Sequence, residues 1–595
     1  MRHKMLPFFD FALIHICFLF CSFLLQINLY QASGSLIFSI IFILCCKFAG
    51  FYKISVRYIG LHSLKISLFC ASVALFSVLL AHGIDLVGLY VFSALTSVGA
   101  VISSRLVVRE YYFLSRHTNS SNTLVYGAGS AGVQYVTASL QGDKTNIIGF
   151  IDDSANLIGS VIHGRKVFSS SQVEELVIRH NIKMIVIAMP ILQATAKRRI
   201  INKLITLPVR VVSVPTLEAI LDQSARVSDI KDISFEDLLG RDAIPVDTKL
   251  MNKRISGRTI LVTGAGGSIG SEICRQVLKL GAKQLILLDI SELALFEIQQ
   301  ALIKLTDVKL ICILGSVLDN ILLHKTFQKY AIDTVFHASA YKHVPLVEDN
   351  QLSAFINNVY GTMSVLEAAV EANCSSFTLI STDKAVRPTN VMGATKRLAE
   401  LVCQATVEVS NNTIISMVRF GNVLGSSGSV IPTFKNQIEN NEPVTITHPD
   451  ITRYFMTIPE AAQLVVQSSG MAEGGDVFIL DMGEPIKIFD LAKRIIRLSG
   501  KNYYEDGDTP PDDSSIKLEF TGLRPGEKLY EELLVDATAL TTAHPKIMRA
   551  KENFIDKNKI EDYLERMKIS LINDDFDLFY SLLGKSKIGY SREEK

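Results

Sequence analysis

The chain has 595 residues and a formal net charge of +1, from 60 Lys and Arg against 59 Asp and Glu. This length is too great for one hydrophobic core, and the balanced charge excludes the basic face that a nucleic-acid-binding protein needs. The nine cysteines show no CxxC pair and no metal-ligand spacing, so we expect packing roles in a reducing compartment and no metal site.

Four apolar segments open the chain and account for its mean hydropathy of +0.29, which is high for a soluble protein. Each is close to the ~20 residues that cross the core of a bilayer. A cleavable signal peptide is the alternative for the first segment, but no small-residue cleavage site follows it. We therefore predict a transmembrane anchor of four helices, over Leu6–Leu29, Gly34–Phe51, Leu64–Ala81 and Ile84–Ile102.

Loop charges orient these segments. Lys and Arg precede the first segment, separate the second from the third and follow the fourth, whereas the other two loops have neither. The positive-inside bias therefore places both ends of the anchor in the cytoplasm. Asp10 and His15 in the first segment would also suit an ion path, but so few polar groups favour an anchor. The orienting charges are Arg2, Lys4, Lys53, Arg57, Lys65, Arg105, Arg109 and Arg116.

After the anchor, short apolar strands alternate with helical stretches, as in parallel α/β sheets. A strand at Thr123–Tyr126 leads into the GxGxxG loop Gly127–Gly132, and Asp152 follows where a ribose-binding acid would lie. Further strands are predicted at Met184–Ala188 and Val209–Val212. No acid–base group follows in this unit, so dinucleotide binding and a structural or regulatory role both stay open.

A second strand–loop–helix unit carries stronger signals. The strand Thr259–Thr263 precedes a GxxGxxG loop, whose glycines permit a tight turn and close approach of the backbone to a pyrophosphate. The next strand, Gln284–Leu288, ends in Asp289, whose carboxylate can accept both hydroxyls of an adenosine ribose and would repel a 2′-phosphate. We therefore expect NAD rather than NADP. The expected cofactor contacts are Gly264, Gly267, Ser268, Ile269, Gly270, Asp289, Ser316, Val317, Ala338 and Lys396.

A hydroxyl, a carboxylate and an amine follow the fifth strand of this unit. Phe377–Ile380 runs into Ser381–Lys384, and the segment Met392–Lys396 comes next. Residues just past the carboxyl end of a strand face the ligand crevice in a doubly wound sheet. Met392 and Lys396 are four residues apart and so share one helical face. This pattern predicts an active site beside a nicotinamide; a surface ion pair is the alternative interpretation of Asp383 and Lys384.

These motifs resemble the extended short-chain dehydrogenase/reductase family, whose active site has a Ser or Thr on this strand and a Tyr-x-x-x-Lys helix. Met392 occupies the tyrosine position, and a thioether cannot remove a proton. Over essentially its whole length the chain resembles one subgroup with this departure, the long membrane-bound UDP-N-acetylglucosamine 4,6-dehydratases of bacterial surface-glycan pathways. The matching blocks are Leu261–Gly270, Lys342–Pro345, Ser381–Ala385, Arg419–Gly425, Thr447–Pro449, Arg453–Phe455 and Gly522–Lys528.

The resemblance implies an α/β protein with a four-helix transmembrane anchor and two Rossmann-like, doubly wound parallel-sheet domains. The second domain would be the catalytic one, with a smaller C-terminal substrate subdomain. It also implies a multi-pass protein of the bacterial inner membrane, with its catalytic domain in the cytoplasm, and a homo-oligomer. The expected segments are an anchor at 1–105, the first Rossmann-like domain at 117–216, a linker at 217–256, the catalytic domain at 257–550 and a charged, peripheral helical tail at 551–595.

The implied reaction is NAD-dependent 4,6-dehydration of UDP-N-acetylglucosamine. It comprises oxidation at C4, loss of water across C5 and C6, and return of hydride to C6, so that the cofactor is not consumed. We expect Lys384 to be the C5 base and Asp383 the C6 acid. Thr382 would hydrogen-bond the C4 oxygen, and Lys396 would hold the nicotinamide ribose. Because Met392 replaces the usual base, deprotonation of the C4 hydroxyl is assigned to Asp383 or to a water relay.

The resemblance also implies a set of substrate contacts at Lys342, Asn422, Arg453, Arg524 and Glu527. The two arginines suit a diphosphate because a planar guanidinium can bind it in a bidentate manner, and Glu527 would reach the uridine ribose. Two other functions stay open. A 4-epimerase of UDP-N-acetylhexosamines would need the missing tyrosine, and a non-catalytic membrane sensor of UDP-sugars would need no acid–base pair.

Overall fold

The computed structural model describes residues 6–25, 34–53, 61–82, 87–116, 121–139, 145–192, 194–215, 230–233, 246–410, 412–426, 428–532, 539–550, 552, 555–585 and 588–591. It divides the chain into two compact units. Met1–Thr123, Val133–Gly149 and Val161–Lys166 form the first, and Leu124–Gly132, Phe150–Ser160 and Val167–Lys595 form the second. Most of the predicted linker at 217–256 lies outside the described residues.

Helices make up the N-terminal part of the described chain, and strands alternate with helices from residue 121 onward. The helices are α1 Leu6–Leu24, α2 Gly34–Phe48, α3 Leu61–His82, α4 Val87–Arg116, α5 Ser130–Ser139, α6 Val173–Arg179, α7 Ala194–Leu204, α8 Thr248–Asn252, α9 Ser268–Lys279, α10 Glu292–Ile303, α11 Asn320–Tyr330, α12 Val344–Asp349, α13 Gln351–Phe355, α14 Gly361–Glu371, α15 Val391–Val407, α16 Val430–Glu439, α17 Ile458–Met471, α18 Ile488–Leu498, α19 Lys557–Ile572 and α20 Phe576–Lys585. Short 3-10 turns lie at Phe51–Lys53, Ser170–Gln172 and Asp383–Ala385, and a π-helical turn lies at Ile356–Tyr360. The strands are β1 Ser121–Tyr126, β2 Thr145–Ile151, β3 Val161–Ile162, β4 Arg165–Phe168, β5 Met184–Ile187, β6 Arg210–Ser213, β7 Lys231–Asp232, β8 Thr259–Thr263, β9 Gln284–Asp289, β10 Lys309–Leu314, β11 Thr334–His337, β12 Ser376–Ile380, β13 Ile414–Arg419, β14 Asn422–Val423, β15 Val444–Ile446, β16 Thr452–Arg453, β17 Phe455–Met456, β18 Asp476–Leu480, β19 Ile486–Lys487, β20 Tyr503–Tyr504, β21 Ile516–Phe520, β22 Ala539–Thr541 and β23 Ile547–Ala550.

Within the described residues, the four predicted apolar segments fall mainly on α1, α2, α3 and α4. Three stretches are long and apolar enough to cross a membrane, at Leu6–Leu24, Ser63–Ala81 and Val87–Val108. The described part of α2 is also apolar, but it has 15 residues and is shorter than a full span. These helices indicate that the protein associates with a membrane.

One buried ion pair links α1 to α4, near the end of the apolar stretch Val87–Val108. The Nη2 of Arg105 donates to both carboxylate oxygens of Asp10, at 2.8 and 2.7 Å, and both side chains are almost fully buried. Charges in an apolar bundle are stable only when they are paired in this way. Asp10 therefore has a packing role in the anchor, and the pair brings the start of α1 close to the end of the apolar stretch Val87–Val108.

The first sheet has the strand order β3-β4-β2-β1-β5-β6-β7. The inner strands read as continuous apolar runs because both of their faces are covered; all four residues of β5 are buried. The strands predicted at Met184–Ala188 and Val209–Val212 are present as β5 and β6. Lys231–Asp232, from the predicted linker, adds an antiparallel edge strand to this sheet.

The second, larger sheet has the order β10-β9-β8-β11-β12-β13-β18-β23-β22. Its strands are parallel from β10 to β18, and β23 and β22 extend it as an antiparallel edge. The chain moves outward from β8 through β9 to β10 and then returns to the other side of β8 as β11. Ligands bind at such a reversal of strand order in open α/β sheets, so the crevice is expected beyond the ends of β8 and β11.

Alternate residues of each central strand supply two separate cores. In β8, Leu261 belongs to one apolar cluster, whereas Ile260 and Val262 belong to the other. This alternation follows from the two-residue period of a strand, and helices cover both faces of the sheet. A third, smaller cluster lies between α16, α18 and the three-stranded sheet β15-β21-β20. It forms the core of a smaller C-terminal subdomain.

The charged segment after Ala550 does fold as two helices, α19 and α20, but these helices are not peripheral. Their apolar residues join the same cluster as the central strands and are almost fully buried. The sequence expectation was wrong on this point because the charged residues of α19 lie on its outer face and mask an apolar stripe. The buried residues of that stripe and of α20 are Ile560, Leu564, Met567, Leu571, Phe579, Leu582 and Leu583.

Candidate active site

A cavity of about 980 Å³ opens at the carboxyl ends of the large sheet. This volume suits a ligand larger than a single sugar. The cavity contains most of the residues that the sequence singled out. Those lining it are Gly264, Gly267, Ser268, Ile269, Gly270, Ala338, Lys342, Thr382, Lys384, Met392, Lys396, Asn422, Arg453, Arg524 and Glu527. Asp289, Ser316, Val317 and Asp383 are not among the lining residues.

The glycine loop after β8 is packed too tightly for side chains at two positions. A Cβ atom on Gly270 would clash with the carbonyl oxygen of Gly264, and Gly264 itself has a positive φ of 62° and lies against the backbone of Ala338. The loop therefore packs closely against the start of α9. The first N–H groups of this helix face the cavity. This geometry fits the pyrophosphate of a dinucleotide.

Asp289, at the end of β9, fixes the same loop. Its Oδ2 accepts a hydrogen bond from Gly266 N at 2.9 Å, and its Oδ1 accepts one from Ser291 N at 2.9 Å. A carboxylate retains further lone pairs beyond these two bonds. Asp289 is therefore a buried positioning group for the loop that can still accept ribose hydroxyls at the edge of the crevice.

The first Rossmann-like unit repeats this arrangement. A Cβ atom on Gly132 would clash with the carbonyl oxygen of Gly127, which has a positive φ of 108°. Asp152 Oδ2 accepts a hydrogen bond from Ala128 N at 2.8 Å. The loop and acid predicted from the sequence thus form the same local structure in both units, and what the first unit binds stays a prediction.

Thr382, Asp383 and Lys384 follow β12 as a tight 3-10 turn. The Thr382 hydroxyl donates to Asp383 Oδ1 at 2.9 Å, and Lys384 Nζ donates to the same oxygen at 3.1 Å. Asp383 is fully buried below the cavity floor, whereas Lys384 reaches the cavity. The pair is therefore not a surface ion pair, and Thr382 has its proton directed at Asp383.

Glu531 is a third charged group in this cluster that the sequence analysis missed. Its Oε1 lies 3.4 Å from Lys384 Nζ and 3.6 Å from Arg453 Nε, and its side chain is 3% exposed. It lies just after the Gly522–Lys528 block, far in sequence from Lys384. The only sequence signal was the pair Glu531-Glu532 at the end of that block, which resembles an ordinary surface pair.

Burial and charge set the proton affinities of this cluster. Burial, together with the Glu531 carboxylate, raises the pKa of Asp383 despite the nearby Lys384 ammonium. Burial opposes charge on Lys384, but Asp383 and Glu531 outweigh it and raise the pKa of that amine. Glu531 is also buried, yet Lys384, Arg453 and Lys528 lower its pKa. Asp383 is thus the carboxyl that holds a proton more readily.

Met392 and Lys396 lie one turn apart on α15 and both line the cavity, as their spacing predicted. Burial lowers the pKa of Lys396 to about 8. The start of α15 packs directly on the Thr382–Lys384 turn, because a Cβ on Gly393 would clash with the carbonyl oxygen of Lys384. Asn390 caps the helix by accepting a hydrogen bond from Gly393 N at 2.8 Å. This close packing fixes the methionine and the lysine relative to the turn.

Asn358 is a second residue that the sequence analysis missed. It lies in the π-helical turn before α14 and is fully buried. Its Oδ1 accepts from Tyr341 N at 2.8 Å, and its Nδ2 donates to Tyr341 O and to Thr395 Oγ1, both at 3.0 Å. Single π turns often mark functional sites. Here the turn positions the Asn358 amide, which links the loop that contains Lys342 to the helix that contains Lys396.

A buried charge cluster holds the two strands behind the site. Glu400 on α15 accepts from Arg419 Nε at 2.8 Å and from Ser381 Oγ at 2.6 Å. Arg397 Nη1 lies 3.0 Å from Glu400 and 2.7 Å from Glu552, which also pairs with Arg419. Burial disfavours charge on Glu400, but the two arginines outweigh it and lower its pKa to about 2. Since Ser381 directly follows β12 and Arg419 ends β13, the cluster fixes both strand ends.

The charged residues expected on the substrate side also line the cavity. Arg453 Nη2 lies 3.2 Å from Glu527 Oε1, which also accepts from Thr447 Oγ1 at 3.3 Å. Arg524 lines the cavity, and its backbone N donates to Glu527 Oε2 at 3.2 Å. Asn422 Oδ1 accepts from Lys384 Nζ at 3.3 Å, so Asn422 also positions the Lys384 amine. The arrangement leaves one guanidinium paired with carboxylates and one open to the cavity.

Comparison with known proteins gives a consistent result. The model of a family described as "Polysaccharide biosynthesis protein" matches residues 260–552. The chain is 43% identical over 481 residues to "Capsular polysaccharide biosynthesis protein CapD" of Staphylococcus aureus, covering 79% of this chain and 77% of that protein. It is 43% identical over 424 residues to "Probable polysaccharide biosynthesis protein EpsC" of Bacillus subtilis (strain 168), covering 70% and 68%. Among solved structures, Pen from Bacillus thuringiensis has 31% identity and a TM-score of 0.45, covering 52% of this chain and 98% of that one.

Proposed function

This chain belongs to the polysaccharide biosynthesis protein family, and we propose that it dehydrates UDP-N-acetylglucosamine to a UDP-2-acetamido-2,6-dideoxy-4-hexulose. One observation carries the proposal. The buried Asp383 and the cavity-lining Lys384 lie side by side at the strand end that faces the dinucleotide loop. Elimination of water needs an acid and a base at adjacent carbons, and these two side chains are such a pair.

The cofactor of this reaction is NAD in our proposal. The closely packed glycine loop fits a pyrophosphate, and Asp289 has lone pairs left for ribose hydroxyls. When bound, a nicotinamide dinucleotide supplies reversible hydride transfer at the sugar. Lys396 lines the same cavity one helical turn from Met392 and would hold the nicotinamide ribose. Ser316 and Val317 would contact the adenine side.

The protein's own groups move the protons. Asp383 has a raised pKa and is suited to protonate the departing C6 hydroxyl. Lys384 reaches the cavity and is suited to take the C5 proton once it is neutral. Thr382, next to both, would hydrogen-bond the C4 oxygen. Met392 cannot act as a base, so the C4 hydroxyl would lose its proton to Asp383 or through water.

Arg453 and Arg524 would bind the substrate diphosphate, with Lys342 and Asn422 toward the sugar and Glu527 toward the uridine ribose. All five of these side chains line the same cavity as Lys384. We further propose that the anchor lies in the bacterial inner membrane with the active site in the cytoplasm. A nucleotide sugar is made there, and the loop charges of the anchor agree.

Incubation of the full-length, detergent-solubilised protein with NAD and UDP-N-acetylglucosamine tests the proposal. We expect a product lighter by one water, with no net formation of NADH, because hydride leaves C4 and returns to C6. A 4-epimerase would give a product of unchanged mass, and a non-catalytic sensor would give none. The NMR coupling pattern of the product would also report the configuration at C5.

Gly270→Ala is expected to weaken NAD binding at least ~10-fold. The added methyl group clashes with the Gly264 carbonyl and displaces the loop by a few tenths of an ångström or more, and small displacements in a tight phosphate loop remove several backbone contacts at once. Isothermal titration of the full chain with NAD measures the change. Gly584→Ala, in an open part of α20, is the control and should bind NAD as the parent does. Equal affinity in the Gly270→Ala variant would contradict the assigned loop.

A further inference from the structure

Lys384 is surrounded by as many acceptors as an ammonium has protons. Its Nζ lies 3.1 Å from Asp383 Oδ1, 3.3 Å from Asn422 Oδ1 and 3.4 Å from Glu531 Oε1. A lysine ammonium has three donors and no lone pair. In this arrangement Lys384 is charged and cannot accept a proton from a sugar carbon. A base at this position must first give one proton to a neighbour.

Asp383 is unsuited to receive that proton. Asp383 Oδ2 is buried without a hydrogen-bond partner among the described residues, as is Glu531 Oε2, but the proposed reaction needs the Asp383 carboxyl to carry the proton for the C6 hydroxyl. Asn422 offers only an amide oxygen, which does not hold a proton at ordinary pH. Glu531 is therefore the neighbour that can take the proton of Lys384. Asp383 then keeps the proton that it needs for the C6 hydroxyl.

Glu531 has the surroundings of a proton acceptor. Its Oε2 is buried and has no hydrogen-bond partner among the described residues. The cations that face its carboxylate are Lys384, Arg453 at 3.6 Å from Oε1, and Lys528. In a buried site both members of an ion pair lose hydration, so only such cations keep the carboxylate ionised. Removal of one of them shifts the proton toward Glu531.

Arg453 is the cation that a substrate would engage. It lines the cavity, contacts Glu531 directly and pairs with Glu527 on its other side. A phosphate on Arg453 would offset the positive charge that lies 3.6 Å from Glu531 Oε1 and that lowers the pKa of this carboxyl. Offsetting that charge destabilises the Glu531 carboxylate more than it stabilises the Lys384 ammonium. The neutral amine and neutral carboxylic acid become the favoured pair.

We propose that Glu531 takes a proton from Lys384 when the diphosphate of the substrate binds Arg453, so that the base is generated only in the loaded enzyme. One N–H bond breaks at Lys384 Nζ and one O–H bond forms at Glu531 Oε1, with no change in total charge. Glu531 is then a positioning residue that acts through Lys384. The inference rests on the proposed function, since it needs an anionic substrate group at Arg453.

Glu531→Gln separates this role from a purely structural one. Without the internal acceptor, Lys384 must release its proton to solvent, so kcat depends on pH. We expect kcat near pH 7 to fall ~10–100-fold and to rise about tenfold per pH unit toward the pKa of Lys384, whereas the parent profile stays flat in this range. A structural defect would instead lower kcat by one factor at every pH. Such a uniform loss would overturn the proposal.

Glu532→Gln is the matched control. This neighbouring side chain is 43% exposed and pairs with Arg387, at 3.6 Å, rather than with the catalytic lysine. Its pH profile should match that of the parent. A sloping profile in both variants would show that any charge change in this segment alters the site, and would also overturn the specific role of Glu531.

Infrared difference spectroscopy with UDP gives a readout that does not depend on turnover. Addition of UDP to the full-length protein should produce the carbonyl band of a protonated carboxylic acid, and this band should be missing in Glu531→Gln. Binding of UDP without the band, or a band that persists in the variant, overturns the inference but leaves the proposed function intact. Failure of UDP to bind the parent, measured by calorimetry, would remove the proposed function and the inference together.

Discussion

Lys384→Gln is expected to lower kcat by ~10²–10⁴-fold, because general acid–base groups contribute factors of this size. Glutamine keeps much of the length of the side chain and can still hydrogen-bond Asp383 and Asn422, but it cannot accept the C5 proton. The affinity for UDP should change only a few-fold, because the arginines expected to bind the diphosphate are separate residues. Product formation at saturating substrate, followed by mass spectrometry, measures the effect.

The matched control for this prediction is Lys546→Gln. That lysine forms a half-exposed ion pair with Asp481, at 2.7 Å, and does not line the cavity. Its kcat should stay within about twofold of the parent, as is usual for surface substitutions. Asp383→Asn should show a loss comparable to that of Lys384→Gln, because it removes the acid of the same step. Near-normal turnover in either member of the pair would contradict the assigned chemistry.

Glu400→Gln is expected to destabilise the catalytic domain by about 3–5 kcal/mol, the usual cost of breaking a buried ion pair from one side. The parent cluster balances two arginines against two glutamates. The variant leaves one positive charge uncompensated next to the fully buried Arg419. The midpoint of thermal unfolding of the full-length protein, followed by circular dichroism, should fall accordingly.

Glu408→Gln is the control for that measurement, because this residue is exposed at the end of the same helix and should change stability by no more than about 0.5 kcal/mol. The pH dependence gives a second check. The pKa of Glu400 is lowered to about 2 from an ordinary 4.5, so its stabilisation is complete above 4.5 and is lost as the pH falls toward 2. Glu400→Gln should lack this part of the acid transition; equal acid sensitivity in both proteins would contradict the role of the cluster.

Local patterns predicted the parts of the site that lie within one strand–turn–helix segment. The glycine loop, Asp289 and the Thr382–Lys384 turn each follow directly from a strand, and the topology of a parallel sheet brings all strand ends to one edge. Met392 and Lys396 were placed together by helical periodicity alone. The local positions of these residues are predictable because a few neighbouring residues fix the geometry, whereas their chemical roles stay predictions.

The missed residues reach the site through tertiary packing. Glu531 meets Lys384 from a segment beyond β21, and Glu552 meets Arg419 from beyond β23. The position of Asn358 depends on a π-helical turn, and the spacing of apolar residues in the sequence does not predict such a turn. Charged residues in a sequence are usually solvated, so a buried carboxylate is recognisable only when its partners are known. The same masking made α19 and α20 look peripheral.

The position of α19 and α20 has a consequence for how the protein folds during its synthesis. These helices follow every strand of the large sheet along the chain, yet they complete the core between that sheet and α15. The catalytic body therefore cannot close while the ribosome is still making its strands, although the membrane helices have long since emerged. During that interval the unfinished sheet exposes apolar surface that α19 and α20 later cover. Such an intermediate is prone to aggregation. The supply of chaperones, rather than the stability of the folded protein, would then limit the yield of folded protein in a cell.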